Sequence, residues 1–368
     1  MEDIFFELIQ VSLGTRECLS RVLNEQEWKE LFSLCQKQAI SGIVFQALDR
    51  LSSYGQKPPL TVLYEWIGYA QTIESRNRVV NERSVEISQE FANDGFETCI
   101  LKGQGNAVLY PRPLLRIPGD VDLYVINKTN KEVIEYVKKK NPKGKVLYHH
   151  IDMGVFKDVE VEVHFRPTFM FNLVHNRRLQ TYYLTQISQK EVELPEDAGS
   201  VFVPNREFNT VFQLSHIYNH LLHEGIGLRQ VIDYYYLLKM RNDKGEMSNE
   251  NEKLVMTLKY LGLEKIAGAM MWVLGYLVHG EGGMVHGFKS DEWMICEPDE
   301  RRGRVLLAEI MKGGNFGQYD SENQKANSAI KKNFQRIKRD MRMMRYFPSE
   351  CLWEPVFRVW HWFWRKFH

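Results

Sequence analysis

The run GDVDLYV, residues 119–125, constrains this chain more than any other stretch. Acidic and apolar residues alternate in it with a period of two. A helix would scatter that pattern around its circumference, whereas a strand sends Asp120 and Asp122 to one side and Val121, Leu123 and Val125 to the other. The segment is therefore expected as a strand with one face in a core and two carboxylates crowded on the opposite face. Like charges held so close repel, and a hard divalent cation relieves them. Mg²⁺ does so while also binding substrate phosphates.

Such a strand needs neighbours. Residues 96–101 (FETCIL) form a short β-compatible run, and strand-like runs recur at 146–156 and 159–165, with a polar helix at 130–140. On both sides of this unit the period is helical. Trp28, Leu31, Phe32 and Cys35 recur at spacings of 3, 1 and 3; stretches 39–51 and 62–91 continue the pattern, and helices resume after about Arg206. Breaks fall at Gly55 and Pro58-Pro59. The expected architecture is α+β: a small mixed β-sheet core at 96–170, set between a helical N-terminal domain at 1–95 and a helical C-terminal domain at 171–368. Stretches 243–251 and 313–327 are polar and are expected as loops.

Two further pieces extend the site. In VEVEVHFRP, residues 159–167, alternation puts Glu160, Glu162 and His164 on one face, so that a carboxylate from this strand completes a three-acid cluster. Lys102-Gly103-Gln104 ends the first strand just ahead of a helix-like stretch. Free amides at a helix start, with a Gly permitting close approach, favour phosphate, and Lys102 and Arg116 add charge-assisted contacts.

Composition removes other classes. Lys and Arg number 48 against 47 acids, a net charge of +1, so no global field draws the chain to nucleic acid or to an anionic membrane. Five scattered cysteines (Cys18, Cys35, Cys99, Cys296, Cys351) without a C-x-x-C pair suit a reduced compartment. The N-terminus has no signal-peptide pattern, and the longest apolar run, 266–278, is too short to span a bilayer. The expected location is cytoplasmic. Charge concentrates only at 325–368, which carries a net +8 and four of the eight tryptophans (Trp353, Trp360, Trp362, Trp364). This basic, Trp-rich end is either a solvated amphipathic face or a surface for an anionic partner.

The order K-G, L-Y-P, L-R-x-x-G-D-V-D-L and V-E-V-H-F-R resembles an uncharacterised nucleotidyltransferase family of the DNA-polymerase-beta-type superfamily. FQLSHIYNHLL followed by LRQVIDYYYLL extends the likeness over most of the chain. The resemblance implies transfer of an NMP from an NTP to an acceptor with release of pyrophosphate. It places two Mg²⁺ ions on Asp120, Asp122 and Glu162, and the phosphates on Lys102, Gly103, Gln104 and Arg116. Gln104 stands where the superfamily has Ser or Gly, and Glu160 is an alternative to Glu162. The acceptor is a small molecule, a protein or an RNA end.

Bland readings stand beside these. Two acids spaced by two are commonplace on surfaces, and only the Gly turn upstream and the E-x-E-x-H strand downstream give them weight. His216, His220 and His223 share a helix face, but no cysteine or H-E-x-x-H pattern supports zinc there. Arg229 and Asp233, four apart, are expected as an ion pair. Other functions compete as well: a D-x-D glycosyltransferase, which would carry a longer βα region ahead of the motif; a catalytically impaired nucleotide-binding or scaffold protein; and an interaction protein working through the basic end.

Overall fold

The computed structural model describes residues 1–240, 247–284, 291–315, 319 and 329–364. Much of the loops expected at 243–251 and 313–327 lies outside them, as do Lys325, Arg365 and Lys366 of the basic end. The N-terminal part is helical: α1 (Glu2–Leu13), α2 (Glu25–Lys37), α3 (Ser41–Phe45), α4 (Ala47–Ser53) and the long α5 (Leu60–Asn93). Trp28, Leu31, Phe32 and Cys35 are the buried stripe of α2, as their spacing requires, and Asn24 closes its N-terminus in a capping box with Glu27.

The sheet follows. Strands β1 (Thr98–Ile100), β2 (Val121–Val125), β3 (His150–Asp152) and β4 (Val161–His164) are ordered β1-β2-β4-β3. β2 runs antiparallel to β1 and parallel to β4, and β3 runs antiparallel to β4. The short α6 (Gln104–Ala107) follows β1, and α7 (Asn130–Lys140) follows β2 in the crossover that leads through β3 to the parallel neighbour β4. Val121, Leu123, Val125, Val161, Val163 and Ile151 share one face of the sheet. They pack on Val80, Ile87 and Phe91 of α5 and on Val133 and Val137 of α7. Each such side chain, fully buried, contributes roughly 1.5–3 kcal/mol, which is what holds the strands in this register. α5 joins both halves of the molecule, since its Val62 and Trp66 lie in the separate helical core.

The chain departs from the expected pattern in two places. The run at 146–156 yields only three strand residues and one bridge, Val146–Ile151, because the Leu147 amide bonds to the His150 carbonyl and turns the chain tightly there (2.8 Å). Beyond 170, where helices were expected, a hairpin of β5 (Gln189–Leu194) and β6 (Gly199–Pro204) adds a second sheet. Its Leu194, Val201 and Val203 extend the apolar face on α5.

The remaining helices are α8 (Leu173–Gln186), α9 (Arg206–His223), α10 (Leu228–Lys239), α11 (Met247–Leu261), α12 (Glu264–Met284), α13 (Glu300–Gly313), α14 (Ala329–Met344) and α15 (Pro348–Trp364). Among the described residues no helix is long and apolar enough to cross a membrane. The five cysteines are free thiols. Glu350, buried in the first turn of α15, accepts from the Phe171 and Asn172 amides (2.6 and 3.1 Å) and so fastens the C-terminal helix beside the sheet.

Candidate active site

The polar face of the sheet is a grid. Register sets Asp122 opposite Glu162 and Glu162 opposite Asp152; one row on, Tyr124, His164 and His150 line up in the same way. Asp120 precedes β2 on the side of Asp122. This face looks into a cleft of roughly 860 Å³ that is closed on the far side by α9 and α15. Seven of the chain's eleven histidines line it.

Asp122 is almost wholly buried. Its Oδ1 accepts from Lys102 Nζ (3.1 Å) and lies 3.0 Å from His164 Nε2, while its Oδ2 has no hydrogen-bond partner among the described residues. Burial alone would raise its pKa, but the Lys102 ammonium and the His164 hydrogen bond outweigh that and hold the carboxyl well below its usual range. Asp120 moves the opposite way, raised by burial and by the charge of Asp122. Glu162 is lowered: burial opposes its charge, and the His164 contact more than compensates (3.4 Å). His164 titrates at about 9, because hydrogen bonds to Asp122 and Glu162 overcome the burial that disfavours imidazolium. Lys102 likewise stays above its usual value against burial, through the three acids.

Gly103 adopts φ +55°, open to a residue without Cβ, and its Cα faces the Asp120 carbonyl. The Gln104 side chain turns away from the cleft and donates to Asn77 (3.2 Å) and Asn81 of α5. Asn77 also donates to the Leu114 and Arg116 carbonyls (2.7 Å each), so α5 fixes the turn that leads into β2. The Arg116 guanidinium is buried in a two-pronged bond to Asp233 of α10 (2.7 Å each), and Tyr110 donates to the same carboxylate (2.6 Å). Asp233 thus bonds Arg116 rather than serving only its helical neighbour; Arg229 donates to the Ile117 carbonyl (2.9 Å) and adds its charge nearby. Glu160 is exposed at the rim of the cleft.

On α9, His216 and His220 lie 3.1 Å apart, and Lys102 Nζ is 3.3 Å from His216 Nε2. Burial, and then Lys102, hold His216 well below its usual pKa. Of the C-terminal aromatics, Phe357 stacks on Phe169 (4.8 Å) and Trp360 and Trp364 meet Tyr148, which makes α15 one wall of the cleft; Trp362 and Phe363 stay exposed.

Among the described residues three donor groups could hold a cation: Asp122, Glu162 and His164; His149, His150 and His164; and His150, Asp152 and Glu162. His149, His150 and Asp152 were not singled out from the sequence. The signal is there: H-x-D at 150–152 has the same two-residue spacing as D-x-D and E-x-H.

An acidic pair on a central strand has a third acid in register on the parallel neighbour and a Gly turn after the preceding strand, and residues 24–279 match the family described as "Uncharacterised nucleotidyltransferase". The chain belongs to that family. The match runs from the N-cap of α2 into α12, so the matched stretch takes in the sheet, the hairpin and α9, but not α15. Among solved structures, an antigenic nucleotidyltransferase-like protein from Paracoccidioides brasiliensis is 15% identical, with a TM-score of 0.31, over 52% of this chain and 94% of that one. No curated protein matches the sequence.

Proposed function

We propose that the protein transfers an NMP from an NTP to an acceptor, releasing pyrophosphate, with Mg²⁺ as two ions at Asp120, Asp122 and Glu162. The observation that carries this reading is the pairing of Asp122 with Glu162 across parallel strands, with Asp120 and Glu162 lining the large cleft and Asp122 buried behind them in a small pocket shared with Lys102 and Gly103. The residues suit a cation: among the described residues a buried Asp122 oxygen has no hydrogen bond, and the Asp120 carboxyl is raised by burial and by its neighbour's charge, so negative charge there is under-compensated. When bound, Mg²⁺ supplies charge neutralisation of the triphosphate and a lowered pKa for the attacking hydroxyl.

The chain's own residues do the rest. Lys102 keeps Asp122 ionised and presents its ammonium at the cleft, where an anionic phosphate gains a charge-assisted contact. Gly103 permits close approach of the backbone to the phosphates. Arg116 and Gln104 act at one remove, the first by locking the turn before β2 to α10 and the second by holding α6 on α5. Catalysis is then mainly positioning and electrostatics. Glu162 serves as the third acid rather than Glu160, since it stands beside Asp122 while Glu160 faces solvent.

One observation favours a second reading, nucleotide binding without turnover: Lys102 and His164 already engage Asp122 Oδ1. Transfer of label from an α-labelled NTP, with pyrophosphate release, separates the two. The proposal expects Mg²⁺-dependent release that falls at least ~100-fold in Asp122→Asn and in Glu162→Gln but persists in Glu160→Gln. Nucleotide binding with no release in wild type under any acceptor tried would favour the second reading.

A further inference from the structure

We propose that the outward face of α15, together with the exposed cations of α14, docks on an anionic lipid surface and lies flat in its interface. Both helices stand beyond the stretch that matches the family, and the inference does not depend on nucleotidyl transfer.

α15 is divided lengthwise. Glu350, Cys351, Glu354 and Phe357 are its buried stripe, and they hold the helix on the molecule: Phe357 stacks on Phe169, and Glu350 takes the Phe171 and Asn172 amides. The other side is apolar too, yet open. Leu352, Val356, Val359 and Phe363 follow one another at spacings of 4, 3 and 4, and each is more than half exposed. At about 3.6 residues per turn these four share one line, opposite the buried stripe, and the exposed Trp360 and Trp362 fall on its two flanks.

Charge sorts the same way. The acids of the two helices are Asp340, Glu350 and Glu354, and all three are buried, so among the described residues the open surface of this pair carries no carboxylate of its own. Its cations stay outside: Lys338 and Arg342 of α14 and Arg345 just after it are exposed, next to exposed Ile337 and Met341. Arg342 reaches Glu309 of α13 (3.1 Å), which leaves Lys338 and Arg345 as the cations to test.

Charge and side-chain type together select the occupant. Exposed cations with no acid among them call for an anionic partner. RNA would meet them with its phosphates, but Leu352, Val356 and Val359 offer its bases no face to stack on. A bilayer interface takes every part: aliphatic side chains sink to the acyl boundary, Trp rings sit at headgroup level, and Lys and Arg reach anionic headgroups. With 17 residues, α15 is about 25 Å long and lies along such a surface without crossing it. Its inner face remains free to wall the cleft.

The test is co-sedimentation of the full chain with phosphatidylcholine vesicles, with and without phosphatidylserine, in the absence of nucleotide and Mg²⁺. The expected result is binding that needs phosphatidylserine and weakens as salt rises. Val356→Asp with Val359→Asp weakens it ~10-fold or more, and so does Lys338→Ala with Arg345→Ala. These positions are exposed, so both variants keep the wild-type melting temperature; if the first pair fails to fold, the second carries the test. No binding to phosphatidylserine vesicles, or binding indifferent to both variants, would overturn the proposal. So would a wild-type dimer that Val356→Asp with Val359→Asp turns into a monomer, since a second copy would then cover this face, or binding of single-stranded RNA in place of vesicles. With no nucleotide present, failure here leaves the transferase reading untouched.

Discussion

Asp122 and Asp233 are both buried carboxylates held ionised by a neighbouring cation, yet they end in different states. Every oxygen of Asp233 accepts a hydrogen bond, from Arg116 and Tyr110, and the group is enclosed between α10 and the turn before β2. Asp122 has a comparable pair of partners, Lys102 and His164, but both address one oxygen, and among the described residues the other accepts no hydrogen bond, beside a small pocket shared with Gly103 and Asp120. Each carboxylate has a cation beside it, but Asp122 also has the acids Asp120 and Glu162 near it, and only Asp233 is closed. A closed, fully bonded pair stabilises one conformation, whereas a buried oxygen without a partner is a standing desolvation cost that a ligand can remove.

The largest effect expected from this contrast falls on the closed pair. Arg116→Ala leaves the Asp233 charge buried and should cost about 3–5 kcal/mol in denaturant unfolding, with no recovery on adding Mg²⁺ and nucleotide. A loss below about 1 kcal/mol would mean that the pair is not closed in solution.

A third buried carboxylate sharpens the comparison. Asp340 of α14 faces Glu354 of α15, and burial together with that like charge raises its pKa to about 7, despite Arg339 and Arg358 nearby. Its folded value lies above the unfolded 3.8, so the native state binds the extra proton, and stability should fall as pH rises from about 4 to about 7. Asp340→Asn should flatten that slope and raise the melting temperature at about pH 8 more than at about pH 5. A variant with the wild-type pH slope would contradict the assignment.

The smallest effect belongs to an exposed pair. Arg78 and Glu196 meet at 2.6 Å but are each about half exposed, so Arg78→Ala should leave the unfolding midpoint where it was, at low and high salt alike. A clear drop would show that geometry alone, without burial, decides these pairs.

What the sequence revealed follows from which interactions are local. The faces of Asp120, Asp122, Glu162 and His164 come from strand alternation, and the buried stripe of α2 from helical spacing, both legible within a few residues. The Arg116–Asp233 lock joins positions 117 apart in the chain, and no local pattern announces it. Gln104 looked like a site residue from its place after Gly103, but its direction depends on Asn77 and Asn81 of a distant helix. The β5–β6 hairpin was missed because half of its first strand, QKEVEL, is charged and exposed; the available sign was the polar turn between the strands, where Glu196 and Asp197 adopt positive φ. His149 and His150 escaped notice because their meaning lies in pairing with β4.

The most direct test of the central claim, that the bare Asp122 oxygen marks a cation and nucleotide site, is thermal unfolding of wild type and Asp122→Asn with each NTP, in Mg²⁺ and in EDTA. At 100 times its Kd a ligand adds about 2.7 kcal/mol, a shift of several degrees. The account predicts a Mg²⁺-dependent rise with at least one NTP that disappears in the variant. No rise with any NTP, or one indifferent to Mg²⁺ and to Asp122, would contradict it.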